Sequence, residues 1–521
     1  MQSLPKSLFI FIFCVPLAIV LGFILATPLD RTTLMIVAGC FLMLLSPVLI
    51  TSHHTLLVVS WNAYVNAFFM PGQPYIWMPM TIVSAFFLVL TRTLNRGKIA
   101  SLNVSSVTWP LLILLVVSYV TSLFTGGVGS QALGSEIYGG KRYFFLWAAI
   151  AGYFVLSNVP IPENRRQLLA GLFFLSSVTA AFSNLAFMLG ERFYFLFLLF
   201  PVEWAMTQAA SEAGISAFVR IGGLAPLSGA VLSFALLRWG FRGTLDIRRP
   251  YRLALFLLAF AAALMSGFRA ILLLALLTCL FQMIFEGLTK TRHILLLVVT
   301  ILTCGVFLVP LAKKLPISAQ RCLTLLPLDL DRGAIDEARG STDWRLEMWR
   351  VAVADIPRYL PFGKGYAIDP KDLYFAQQSI SLRSSSPYET ALVAGDYHNG
   401  PLTVILPFGI WGVLAFTWFC ISAIRMLWRN YRYGDPTIQN INTFLLCAFC
   451  AKLVFFIFIF GAFYLDLSIF TGIAALSVSM NRGMARAPAR APLPVPIVPV
   501  PDATPGAPAW QPAFARRIQT W

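Results

Sequence analysis

Residues 341–366 read STDWRLEMWRVAVADIPRYLPFGKGY, and residues 396–412 read DYHNGPLTVILPFGIWG. The first stretch is polar and charged. The second passes from Asp396, His398 and Asn399 into a long apolar run. A charged loop that feeds directly into hydrocarbon-compatible sequence marks a chain re-entering a bilayer, and loops of this kind are where chemistry concentrates.

On both sides of this loop, apolar runs of about 20 residues repeat, the length needed to cross a bilayer as a helix. The chain is 58% hydrophobic and only 12% charged, whereas a soluble domain carries roughly 25% charged residues. The runs are continuous rather than alternating, which excludes an outer-membrane barrel. The expected fold is an all-α polytopic membrane protein with spans near 8–26, 32–50, 54–70, 75–92, 107–124, 143–158, 167–188, 222–239, 251–266, 269–287, 294–312, 402–425, 441–460 and 463–480. That makes about 12–14 crossings. The run 8–26 follows Lys6 as a signal peptide would, but it is longer than such a segment and reads as a retained helix.

The net charge of +17 does not point to nucleic acid, because the basic residues sit in short loops between spans. Arg92, Arg165, Arg166, Arg242, Arg249, Arg252, Lys290, Arg425, Arg429 and Arg432 fall on alternate loops, the pattern of a cytoplasmic side. The outer side then receives 125–142, 189–221 and 313–401. The expected organisation is an N-terminal bundle at 1–312, a large outer loop with short helices at 313–401, C-terminal helices at 402–483 and a tail at 484–521. That tail is Pro-rich and is expected to be disordered and cytoplasmic. The aromatic stretch Phe193–Trp204 is too short to span and is expected along the outer interface.

Within the outer loop, Ser341–Ile356 reads as one amphipathic helix, capped by Ser341 or Thr342 and ended by Pro357. Arg345 and Trp349 lie four apart and share a face. Spacing alone fits a helix docked on the membrane mouth as well as a substrate-facing one. Gly363-Lys364-Gly365 is a tight turn suited to positive φ and close backbone approach, without the spacing of a P-loop. His398 is either a structural histidine or a base. Arg220 and Arg269 stand at outer span ends, where they either snorkel to headgroups or converge with a histidine into a diphosphate site. Asp329, Asp331 and Asp336 are close together but lack the pattern of a calcium loop, so no metal site is expected. All cysteines except Cys322 lie in apolar spans and read as packing residues. Lys452 and Asp466, lone charges on adjacent spans, are expected to pair.

Taken together, the motifs resemble the O-antigen ligase and O-antigen polymerase family of bacterial envelope proteins. Arg220-Ile-Gly-Gly223, Ser266-Gly-Phe-Arg269, the series Arg345, Trp349, Ala352, Pro361, Gly363 and Gly365, and the series His398, Asn399, Leu402, Gly409 and Gly412 carry the resemblance, over roughly 220–480. It implies a metal-independent, cofactor-free glycosyltransferase of the inner membrane, working at the periplasmic face. The donor would be a glycan on undecaprenyl diphosphate, and the acceptor a lipid A core sugar of lipopolysaccharide or another lipid-linked repeat. Membrane lipids, and no nucleic acid, complete the expected partners. The implied catalytic residues are His398, Arg345 and Arg220, with Arg269, Trp349, Asn399 and Lys364 as substrate contacts. A polysaccharide or lipid transporter and a non-catalytic scaffold of an export complex are the competing classes; a transporter would carry more ionisable groups within its spans and internal repeats.

Overall fold

Inside hydrocarbon each backbone N–H and C=O needs a partner from its own chain, so long apolar runs fold as helices. The computed structural model describes residues 31–94, 104–129, 139–213, 220–246, 248–290, 309–381 and 388–487, with isolated positions elsewhere. Most of the expected spans 8–26 and 294–312, and the tail beyond 487, lie outside the described residues.

The helices are α1 (Arg31–Ser60), α2 (Trp77–Leu94), α3 (Ser105–Thr125), α4 (Gly140–Ser157), α5 (Glu163–Leu189, with 3-10 stretches at Glu163–Arg165 and Ser176–Ala180), α6 (Glu203–Glu212), α7 (Leu224–Thr244), α8 (Pro250–Met265) and α9 (Arg269–Phe285). The loop region holds α10 (Ile317–Leu323), α11 (Arg332–Ala354), α12 (Ile356–Tyr359), α13 (Pro370–Ser381) and α14 (Glu389–Ala394). Then come α15 (Gly400–Tyr433), α16 (Gln439–Phe458) and α17 (Phe463–Asn481). Among the described residues, eight helices are long and apolar enough to cross a membrane. The chain is an all-α, multi-pass membrane protein.

The expected span 54–70 is not a span. α1 runs on through Thr51–His54 to Ser60, because the polar side chains there find partners: His53 Nδ1 lies 2.8 Å from Ser84 Oγ and His54 Nε2 lies 3.0 Å from the Leu156 carbonyl. Beyond Ser60 the chain is irregular, with Asn62 donating to Phe173 O at 2.8 Å. Trp61 wedges between α4 and α17 and donates to Ser468 O at 2.9 Å. A Cβ at Gly152 or Gly472 would come within 2.4 or 2.2 Å of that indole, so small residues make the room, as membrane packing favours.

α17 is buried nearly all round and packs on α4, α15 and α16, where Phe416, Phe449, Phe456, Phe463 and Phe470 interlock. In the same region Lys452 Nζ meets Asp466 Oδ1 at 2.7 Å, as the two lone charges led us to expect. Glu191–Leu198 forms a 3-10 helix that exposes Phe195, Tyr194 and Leu198, consistent with an interfacial segment.

α15 breaks at Gly409, where φ is +60°. The break leaves carbonyls without helical partners, and the Gly363–Gly365 turn supplies them: Lys364 N donates to Leu406 O at 2.8 Å and Gly365 N to Pro407 O at 3.0 Å. The turn is therefore a docking device for the outer loop.

α11 begins nine residues before the expected Ser341. Asp331, not Ser341 or Thr342, caps it, accepting from Gly333 N at 2.8 Å. Thr342 instead donates back to Ala338 O at 3.0 Å within the helix, the alternative open to a hydroxyl in mid-helix.

Candidate functional site

Three cationic or basic side chains stand at helix starts. Arg220 lies just ahead of α7, Arg269 is the first residue of α9, and His398 precedes α15 by two residues. The turn joining α8 to α9 needs Gly267 at φ +76°, and a Cβ there would come within 3.2 Å of Arg220 Cγ. The absent side chain lets the turn lie directly on Arg220.

α11 crosses this end of the bundle. Glu337, Gly340, Ser341, Trp344 and Arg345 recur at helical spacing and line one wall of a cavity of about 450 Å³. Arg220, Phe268, Arg269, Ala270 and Arg321 line the remainder. The structure thus brings Arg220, Arg269 and Arg345 together.

The cations are held in different ways. The Glu337 carboxylate pairs with Arg220 through one oxygen and with Arg321 through the other. Arg321 also donates to Gly267 O at 2.5 Å. Arg269 donates to Ala338 O at 3.0 Å. Arg345 lies 5.8 Å from the Trp344 ring centroid, and its buried Nε has no hydrogen-bond partner among the described residues. Burial first, and then the neighbouring guanidinium groups, push Arg321 down to about 9 and Arg345 below its usual value. Guanidinium remains charged at neutral pH in both cases. Four arginines against one glutamate make a cavity that attracts anions and offers forked donors to phosphate oxygens.

His398 adjoins this cavity through Trp344. Its ring meets Trp344 edge-on at 5.6 Å and stacks on Phe460 at 5.2 Å. The backbone at His398 has φ +50°, in the left-handed region. Its Nδ1 lies 3.7 Å from Asp396 Oδ1, too far for a hydrogen bond, and has no other hydrogen-bond partner among the described residues. Burial lowers the His398 pKa, Asp396 acts to raise it, and Arg345 acts to lower it. The ring is held neutral near pH 7, the form that accepts a proton.

The other residues singled out in the sequence do not line the cavity. Trp349 Nε1 donates to Tyr397 O at 2.7 Å, and Lys364 Nζ lies 5.3 Å from the Tyr397 ring centroid. Asn399 caps α15, accepting from Leu402 N at 3.1 Å. These three surround the residues flanking His398, and Arg142 adds a bond to Ala394 O. Arg321, Glu337, Trp344, Phe460 and Asp396 were not among the expected site residues. Arg321 had one legible sign, a charge set among the small residues Ser318, Ala319 and Cys322. Among the described residues no three His, Cys, Asp or Glu side chains gather as a metal-binding group; Asp331 caps α11 and Asp329 pairs with Lys313.

Residues 254–417 match the family model described as O-antigen ligase. The match bears out the family resemblance and supports a glycan-transfer function in polysaccharide biosynthesis. Arg269, Arg345 and His398 fall inside the matched stretch and Arg220 outside it. No curated protein matches the chain.

Proposed function

We propose, with the O-antigen ligase region at residues 254–417 as the premise, that this protein transfers a glycan from undecaprenyl diphosphate to a sugar hydroxyl at the periplasmic face of the bacterial inner membrane. The observation that carries the reading is one cavity lined by four guanidinium groups, with a half-buried histidine beside it across Trp344.

The acceptor oxygen attacks the anomeric carbon, and the bond from that carbon to the phosphate oxygen breaks. The leaving diphosphate gains negative charge. Arg345 and Arg269, already in place, meet that charge without reorganising, as do the neighbouring cations. His398 takes the proton from the attacking hydroxyl. The acceptor is either a lipid A core sugar or a second lipid-linked repeat. The envelope glycan of a deletion strain separates these: single repeats on the normal anchor indicate a polymerase, and full-length chains left on the carrier indicate a ligase. The periplasmic placement rests on charge. α7 and α15 start beside the site and end at Arg242 and at Arg425, Arg429 and Arg432.

In a purified transfer assay, Arg345→Lys is expected to lose most activity, because lysine keeps the charge and loses the fork. His398→Ala is expected to abolish turnover while donor binding persists, and EDTA is expected to leave transfer unchanged. Normal product from His398→Ala would sink the mechanism.

A further inference from the structure

Glu337 is the one carboxylate among the described residues lining the cavity. It places one oxygen on Arg220 Nη2 and the other on Arg321 Nε. A phosphate group presents the same edge, two oxygens on one centre, to two guanidinium donors. Each arginine has a further hold besides Glu337. Arg321, largely buried, keeps its bond to Gly267 O. Arg220 is fixed by Thr207 Oγ1 donating to its carbonyl at 3.1 Å, by the Phe268 ring 6.0 Å away, and by contact with Gly267. Glu337 itself is only half-buried, in the second turn of α11, with Asp336 and Arg339 exposed on either side. Its side chain has solvent to turn into.

Resting on the transfer reading above, we infer that Glu337 is a resident stand-in for a phosphate group: the donor diphosphate displaces it, and Arg321 becomes a further diphosphate-binding cation beside Arg220. The exchange also serves release. The spent carrier diphosphate carries one more negative charge than the donor and is held more tightly by the same cations. Return of the Glu337 carboxylate competes for Arg220 and Arg321 and favours its departure. Glu337 thereby weakens donor binding and speeds turnover.

The test uses full-length protein in nanodiscs and geranyl diphosphate as the soluble prenyl diphosphate probe. Glu337→Gln removes the competing charge and is expected to tighten probe binding about tenfold, with both KM and kcat for transfer falling. Glu337→Ala is expected to act in the same direction and serves if the glutamine variant folds poorly, as judged by size-exclusion profile. Arg321→Gln is expected to weaken binding about tenfold in the Glu337→Gln background, where no carboxylate competes for Arg321, and by less in the wild-type background, where it also frees the carboxylate. Weaker or unchanged binding in Glu337→Gln and Glu337→Ala would show that the carboxylate only positions the arginines, and would overturn the inference. So would an Arg321→Gln change that costs nothing once Glu337 is glutamine. If the wild-type protein fails to bind geranyl diphosphate at all, the transfer reading falls and this inference with it; if it binds and the variants do not respond as stated, the inference alone falls.

Discussion

At His398 the chemistry depends on which form of the imidazole is present. Burial and Arg345 favour the neutral ring, and Asp396 opposes them. With the pKa below 6.5, the base form is present at neutral pH and is lost only as pH falls further. The acid limb of kcat/KM for glycan transfer is therefore expected below 6.5. Asp396→Asn removes the one influence that raises the pKa, so it should move that limb to still lower pH. A limb above 6.5, or one that Asp396→Asn leaves in place, would exclude His398 as the base. The arginines were legible individually, because a charge at the end of an apolar run is costly enough to stand out. Their partners were not. Trp344 reaches His398 across the fold, and Phe460 does so from the α16–α17 hairpin; contacts between residues so distant in sequence leave no local pattern. Glu337 sits in charged loop sequence, where one more charge is unremarkable, and Arg321 shows its partners only once the fold buries it.

Among the elements, the outer loop is positioned by backbone fit. The Gly363–Gly365 turn was legible as a turn, because only glycine accepts such φ values freely. What it docks against was not, since the break at Gly409 is relieved by residues more than forty positions earlier. A Cβ at Gly365 would lie 2.1 Å from Thr125 Oγ1 and 2.6 Å from Tyr143 Oη, at φ +68°. Gly365→Ala is therefore expected to cost about 2 kcal/mol or more through clash and strain. Gly340, in the exposed part of α11, has nothing within 4 Å of its absent Cβ. Gly340→Ala is expected to stabilise the helix by up to about 1 kcal/mol. Thermal unfolding of the two variants in one detergent decides this, and equal midpoints would contradict it. The start of α11 shows the limit of capping signals. Ser341 and Thr342 look like caps in sequence, but Asp331 is as good a cap and has a longer helix behind it.

For the whole molecule, the helical class and most spans followed from hydropathy, because the bilayer leaves so few alternatives. Sidedness is the remaining question at this scale, and two independent features bear on it. α7, α9 and α15 all begin beside the arginine cavity. Their far ends carry Arg242, Lys290 and Arg432, and α8 returns from Arg249 at that far end to Ser266 at the near one. The excess of cations in these short connections supports the proposal that the far end is cytoplasmic. On the proposed function, the cavity then faces the periplasm, the side on which a lipid-linked donor would meet its acceptor. Single cysteines placed at the exposed positions Arg249 and Lys371, in a background without reactive native cysteines, test this with a membrane-impermeant maleimide. In cells with a permeabilised outer membrane, Lys371→Cys is expected to label at once and Arg249→Cys only after the inner membrane is lysed. Labelling in the reverse order would put the cavity in the cytoplasm, where the donor glycan would be used before export, and would remove the physical basis for a periplasmic transferase.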